Sequence, residues 1–182
     1  MPRIEPTAVE RVVLVGFMGA GKTTAGRALA RRLGWGFRDM DGDIEARNGL
    51  TVAEIFARHG EAFFRAEELR VAREVAGLVR HVVAAGGGAF AFPETRDTLR
   101  SGAAVVWLRC DLDTLLARIA PDGSRPLASN RERMAALLAE REPTYRQADL
   151  IVDASGADAA EVACRIARAV FPDGGPGGAI EG

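Results

Sequence analysis

A three-layer α/β/α fold around a five-stranded parallel sheet is what three features of this 182-residue chain predict. Short β-branched apolar runs alternate with segments of helical period, the order expected when helices cover both faces of a parallel sheet. The runs lack the polar–apolar alternation of a half-exposed strand. A glycine-rich turn joins the first run to the first helix, the kind of junction at which open α/β sheets hold ligands.

The elements follow in order. Residues 11–16, RVVLVG, read as a strand buried on both faces and stopped by glycine. Ala25, Ala28, Leu29 and Leu33 recur at helical spacing over 22–33, and Gly34 ends that run. Residues 36–38 make a brief second strand. Helical pieces come next over 43–48, 52–58 and 61–79, with turns at Gly49 and Gly60. Residues 81–85, HVVAA, form a third strand broken by Gly86, Gly87 and Gly88, and 93–100 suit a helix with Pro93 in its first turn. A fourth strand over 103–108 leads to a helix over 112–119. Residues 120–129, APDGSRPLAS, have turn chemistry throughout. A helix over 131–142, a fifth strand over 150–152 and a helix over 158–170 complete the fold, with Asp158 and Glu161 at capping-box spacing. Residues 1–10 read as an extension, 11–171 as one domain, and the glycine- and proline-rich 172–182 as a disordered tail.

Composition narrows the function. A formal charge of −1 gives no net field to attract nucleic acid or an anionic membrane, so neither is expected as a partner. Cys110 and Cys164 are too few and too distant for a disulfide framework, and with His59 and His81 they make no zinc spacing. The N-terminal residues have no apolar core of a secretion signal and no stretch is long enough to span a bilayer, so a cytoplasmic protein is expected. Of the 24 cationic side chains only Lys22 is a lysine; all the others are arginine. That position calls for a compact point charge rather than a planar fork.

Lys22 lies in GFMGAGKT, residues 16–23, which satisfies GxxxxGK(S/T) at every fixed position. Gly19, Ala20, Gly21 and Thr24 complete the loop and helix start around Lys22 and Thr23. Glycines let the loop turn its N–H groups onto a polyphosphate, the helix N-terminus adds its dipole, and Thr23 can ligate Mg²⁺. No NKxD guanine-reading motif occurs, so an adenine nucleotide is favoured.

FRDMDGDIE at 37–45 places Asp39 and Asp41 two residues apart. In an extended segment both face one side. Asp39 can then hold a water of Mg²⁺ and Asp41 can accept a proton from an attacking alcohol. Taken alone, the pair reads equally well as a helix cap and a solvated neighbour; Asp43 looks more like the cap. GEAFFRAEE at 60–68 sets Arg65 among apolar rings, and Gly86–Gly88 let backbone approach a ligand closely.

These motifs, with Phe56, SRPL at 124–127 and EREPTYR at 140–146, resemble the shikimate kinases from about Val12 to Val170. The ordered combination, rather than the phosphate loop alone, is specific. The resemblance implies a P-loop kinase fold with a mobile lid over about 119–129 and a shikimate-binding region over about 40–70. It implies phosphorylation of the shikimate 3-hydroxyl by Mg·ATP, on the way to chorismate and the aromatic amino acids, by a monomer. Asp41 would hold a ring hydroxyl, and Arg65 and Arg146 the carboxylate, with Glu68 orienting Arg65. Gly86, Gly87 and Gly88 would supply backbone, and Phe56 and Phe64 the apolar wall. Arg118 would lie against adenine, Arg125 would close on the phosphates, and Thr23 and Asp39 would serve Mg²⁺. Met40 stands where the family often has threonine. The rival readings are another small P-loop kinase for a metabolite or nucleoside monophosphate, and a non-catalytic sensor on the same fold. The latter predicts loss of Lys22, Asp39, Asp41 or Arg125, and all are present.

Overall fold

The structure, a computed structural model, describes residues 9–119 and 131–172. The expected N-terminal extension, the lid with Arg125 and the tail fall largely or wholly outside these residues.

Five parallel strands, β1 (Arg11–Val15), β2 (Gly36–Asp39), β3 (His81–Ala84), β4 (Ala103–Arg109) and β5 (Leu150–Asp153), form one sheet in the order β2-β3-β1-β4-β5. Every residue of β1 is buried. Val13 pairs with Val83 on one side and Val105 on the other, so branched side chains fill both faces where no water reaches. Arg11 is buried too, at 2% exposure, and donates to the carbonyls of Leu78 and Ser101 at the sheet's N-terminal end. Two satisfied carbonyls are what make that burial tolerable.

Among the described residues seven α-helices surround the sheet: α1 (Lys22–Leu33), α2 (Met40–Asn48), α3 (Val52–Ala76), α4 (Pro93–Arg100), α5 (Leu112–Ile119), α6 (Arg131–Tyr145) and α7 (Ala159–Val170). Helix α1 packs on α7 and on β2 and β3, while α3 packs on α4, which lies on β4. The chain runs from β1 to β2 and β3 on one side, then crosses to β4 on the other. The crevice at the C-terminal ends of β1 and β3 is therefore the switch point that the doubly wound pattern reserves for ligands.

Several boundaries differ from the sequence reading. Asp39, not Asp43, caps α2: its backbone is extended and its carboxylate accepts from Gly42 N at 3.4 Å. Asp43 instead pairs with Arg38 at 2.8 Å. Gly60 interrupts α3 with φ 80° and ψ 175°, a break where the sequence placed a turn. Helix α3 ends at Ala76 rather than Val79, and α6 runs past Glu142 through Pro143 to Tyr145. Pro143 forfeits one backbone bond, but the last turn is held from outside by a tie from Tyr145 to the Gly87 carbonyl, and Arg146 N still reaches Glu142 O at 2.9 Å. No helix among the described residues is long and apolar enough to cross a membrane.

Candidate active site

The turn after β1 is shaped by backbone that other residues resist. Gly16 has φ 143°, and a methyl group there would lie 2.7 Å from the Leu108 carbonyl oxygen. Gly21, at φ 88°, caps α1 without any side-chain bond to the first-turn N–H groups, and no acidic residue occupies that turn. The positive end of the helix thus faces the crevice. Lys22 Nζ donates to the carbonyls of Gly16 at 2.8 Å and Phe17 at 3.0 Å, which holds the ammonium across the loop. Ala20 is buried at 1% exposure, and Thr24 Oγ1 bonds Gly21 O at 3.1 Å.

A cleft of about 330 Å³ opens here, lined by Met18, Gly19, Lys22, Thr23, Asp39, Asp41 and further residues of the loop, β3 and α5. Asp39 and Asp41 both reach it, though not by strand alternation. Asp39 ends β2, and Asp41 already lies in the first turn of α2. Thr23 Oγ1 donates to Asp39 Oδ2 at 2.6 Å, so the two expected metal-serving groups are adjacent.

The three glycines after β3 stand between the phosphate loop and a second group of side chains. A methyl group at Gly87 would sit 3.6 Å from Met18 N. One at Gly86 would lie 2.7 Å from Asp41 Oδ1 and 2.9 Å from Glu68 Oε1; one at Gly88 would lie 3.0 Å from Arg65 Nη1 and Nη2 and from Arg141 Nη1. Two carboxylates and two guanidiniums thus converge over bare backbone. Arg65 is fixed by Glu68 at 2.9 Å and Glu61 at 3.2 Å. Phe56 and Phe64 stack 4.7 Å apart, with the Arg65 guanidinium 5.2 Å from the Phe64 ring.

Arg141 is the residue the sequence reading missed. Its Nη1 donates to Gly87 O at 2.8 Å, and the Tyr145 hydroxyl reaches the same oxygen at 2.5 Å. Burial raises the Tyr145 pKa, which keeps this phenol a donor. The spacing of Arg141 and Tyr145, four residues on one helix face, is the signal that points to it. Arg146, expected at a substrate carboxylate, lies elsewhere: it is largely exposed, pairs with Glu142 at 2.6 Å and lies 6.0 Å from the Trp107 ring. Arg118 crosses from α5 to the loop, donating to Ala20 O at 3.3 Å, Ala154 O at 3.1 Å and Ala157 O at 3.0 Å.

Glu68 is 1% exposed, and its Oε1 is buried without a hydrogen-bond partner among the described residues. Burial, only partly opposed by Arg65, raises its pKa. The fold therefore favours the neutral form, whose stabilising effect is complete below the ordinary glutamate range and is lost as pH rises through the raised value. Glu68→Gln, neutral at every pH, should gain stability relative to the unsubstituted chain between a pH below the ordinary glutamate range and one above the raised value, by about 1.4 kcal/mol for each unit that the carboxyl is raised. Urea midpoints at the two pH values measure it, and a difference that does not change with pH would contradict it.

Comparison with known proteins shows the family of the chain. The family profile described as "Shikimate kinase" matches residues 18–171. The shikimate kinase of Moorella thermoacetica is 50% identical over 161 residues, 87% of this chain and 93% of that protein. The shikimate kinase of Geobacter sulfurreducens is 43% identical over 168 residues, 91% and 93% of the two chains. Among solved structures, the Acinetobacter baumannii shikimate kinase in complex with shikimate superposes with a TM-score of 0.85 at 35% identity, covering 91% of this chain and 94% of that one. With that profile matching residues 18–171 and a relative 50% identical along most of its length, the chain belongs to the shikimate kinase family.

Proposed function

We propose that this protein transfers the γ-phosphoryl group of ATP to the 3-hydroxyl of shikimate, giving shikimate 3-phosphate and ADP. The observation that carries the reading is the convergence of Arg65 and Arg141 at 3.0 Å from one point above Gly88. The two guanidiniums are therefore close neighbours beside bare backbone, and two planar forks brought together suit a carboxylate. The apolar wall of Phe56 and Phe64, the Asp41 carboxylate and the buried Glu68 carboxyl complement the rest of a hydroxylated ring.

Phosphoryl transfer asks for positioning and for cations around the charge that gathers on the γ-oxygens. Lys22 supplies one beside the loop amides of Gly19, Ala20 and Gly21. Arg125, outside the described residues, is assigned as the lid arginine that supplies another, and Arg118 as the contact to adenine. The hydroxyl held by Asp41 attacks the γ-phosphorus as the bond to the ADP oxygen breaks, and Asp41 accepts its proton. The Gly86–Gly88 segment sets the distance between the two substrates, because it touches the phosphate loop on one side and the acceptor group on the other.

The donor set suits Mg²⁺. Thr23 and Asp39 offer hard oxygens, and the described residues hold no cluster of three or more His, Cys, Asp or Glu side chains that would cage a metal alone. Magnesium is ordinarily held by one or two protein oxygens together with phosphates and waters. When bound, it supplies charge neutralisation at the β- and γ-oxygens. Action in the cytoplasm is supported by the free thiols of Cys110 and Cys164, and the protein is assigned as a monomer.

The direct test is ADP release from ATP with shikimate, beside quinate, gluconate and AMP. Turnover with shikimate alone, or far above the others, is expected; equal turnover with gluconate or AMP would refute the substrate. Gly88→Ala sharpens it. Gly88 has φ −106°, which alanine adopts without strain, so the methyl group acts by crowding the two guanidiniums, whose nitrogens would lie 3.0 Å from it. The KM for shikimate should rise by about tenfold or more, as when a charge-assisted bond is lost, while the KM for ATP stays within about twofold.

A further inference from the structure

Arg65 is held in its plane but not, by those bonds, across it. Glu61 accepts from Nε and Nη2, and Glu68 accepts from Nη1. A planar fork tethered at two edges can still pivot about the line joining its acceptors. The face of Phe92 lies against it: the guanidinium carbon is 4.2 Å from the Phe92 ring centroid, closer than to Phe64 at 5.2 Å or Phe56 at 6.0 Å.

Phe92 can carry such a load because its backbone is fixed. It precedes Pro93, which confines it to extended conformations, and it has φ −93° and ψ 120°. Its N–H donates to Ala89 O at 3.4 Å, and its carbonyl accepts from Arg96 N at 2.9 Å. The ring thus belongs to the segment that follows Gly88, whereas Arg65 belongs to α3. Contact between them ties the fork to the glycine over which it must act.

We infer that Phe92 is a positioning residue for the acceptor substrate: its ring face stops the Arg65 guanidinium from pivoting and keeps the open Nη1–Nη2 edge on Gly88. The inference rests on the reading of Arg65 as a carboxylate contact. A face-on cation–π contact, partly shielded from water, is worth about 1–2 kcal/mol, which is about five- to thirtyfold in an equilibrium constant.

The experiment is steady-state kinetics on Phe92→Ala, Phe92→Leu, Phe92→Trp, Arg65→Ala and the double variant Arg65→Ala with Phe92→Ala. Phe92 is 37% exposed, and thermal melts check that each variant is folded. Phe92→Ala and Phe92→Leu should each raise the KM for shikimate by about five- to thirtyfold, with kcat and the KM for ATP within about twofold. Phe92→Trp, which keeps a π face, should stay within about twofold of the unsubstituted enzyme. In the Arg65→Ala background the Phe92→Ala change should have no further effect, whereas a merely structural role would add to it. An unchanged KM in Phe92→Ala, full function in Phe92→Leu, or additivity in the double variant would overturn the inference. Should Arg65→Ala itself leave the KM for shikimate unchanged, the carboxylate assignment fails and the inference with it. Should Arg65→Ala raise that KM while Phe92→Ala does not, only the role of Phe92 is lost.

Discussion

Lys22→Ala is expected to lower kcat by about 10³-fold or more, the scale on which a preorganised charge at a developing anion is lost. Its ammonium is the single lysine in the chain and already spans the loop through the carbonyls of Gly16 and Phe17. Removing it leaves the loop's glycines, the Gly21 cap and the buried β1 intact, so melting temperature and far-ultraviolet circular dichroism should hardly change. Lys22→Arg should rescue little. A planar fork cannot occupy the place of a compact ammonium between two carbonyls and a phosphate. Release of ADP in a coupled assay measures the effect, and kcat within tenfold of the unsubstituted enzyme would contradict the phosphate-site reading.

The strands and the phosphate loop were legible because their signals are local. Residues 11–15, 81–84 and 103–109 are short, mainly apolar, valine-containing runs of the kind a doubly covered strand accommodates, and the loop's glycines stand where chain sterics demand them. Asp39 and Asp41 were placed at the cleft for a reason the structure replaces. The chain turns into α2 at Met40, so one carboxylate is a cap and the next a first-turn residue. Strand alternation does not apply, and cleft membership follows from the strand–helix junction itself. The end of α6 was not legible, because Pro143 reads as a stop while the tie to Gly87 is a contact 58 residues away in sequence. Without the extra turn, Arg146 had no helical phase, and the adjacent tyrosine–arginine pair drew the assignment.

That phase decides the last prediction. At about 100° per residue, Arg141 and Tyr145 share a face of α6, and both reach the Gly87 carbonyl. Arg146 lies one step further round and extends instead to Glu142. Arg141→Ala should therefore raise the KM for shikimate by about 30-fold or more, the cost of truncating one member of a desolvated charge pair. It should also lower kcat, because Gly87 would lose one of its two donors beside the phosphate loop. Arg146→Ala should change neither constant by more than about twofold, since an exposed pair contributes little. Calorimetric titration with shikimate in the presence of ADP separates binding from turnover. The opposite ranking would return the carboxylate to Arg146 and would require α6 to end before Pro143. Equal, small effects would instead leave Arg65 as the sole carboxylate contact, and the convergence over Gly88 would then have no ligand to explain it.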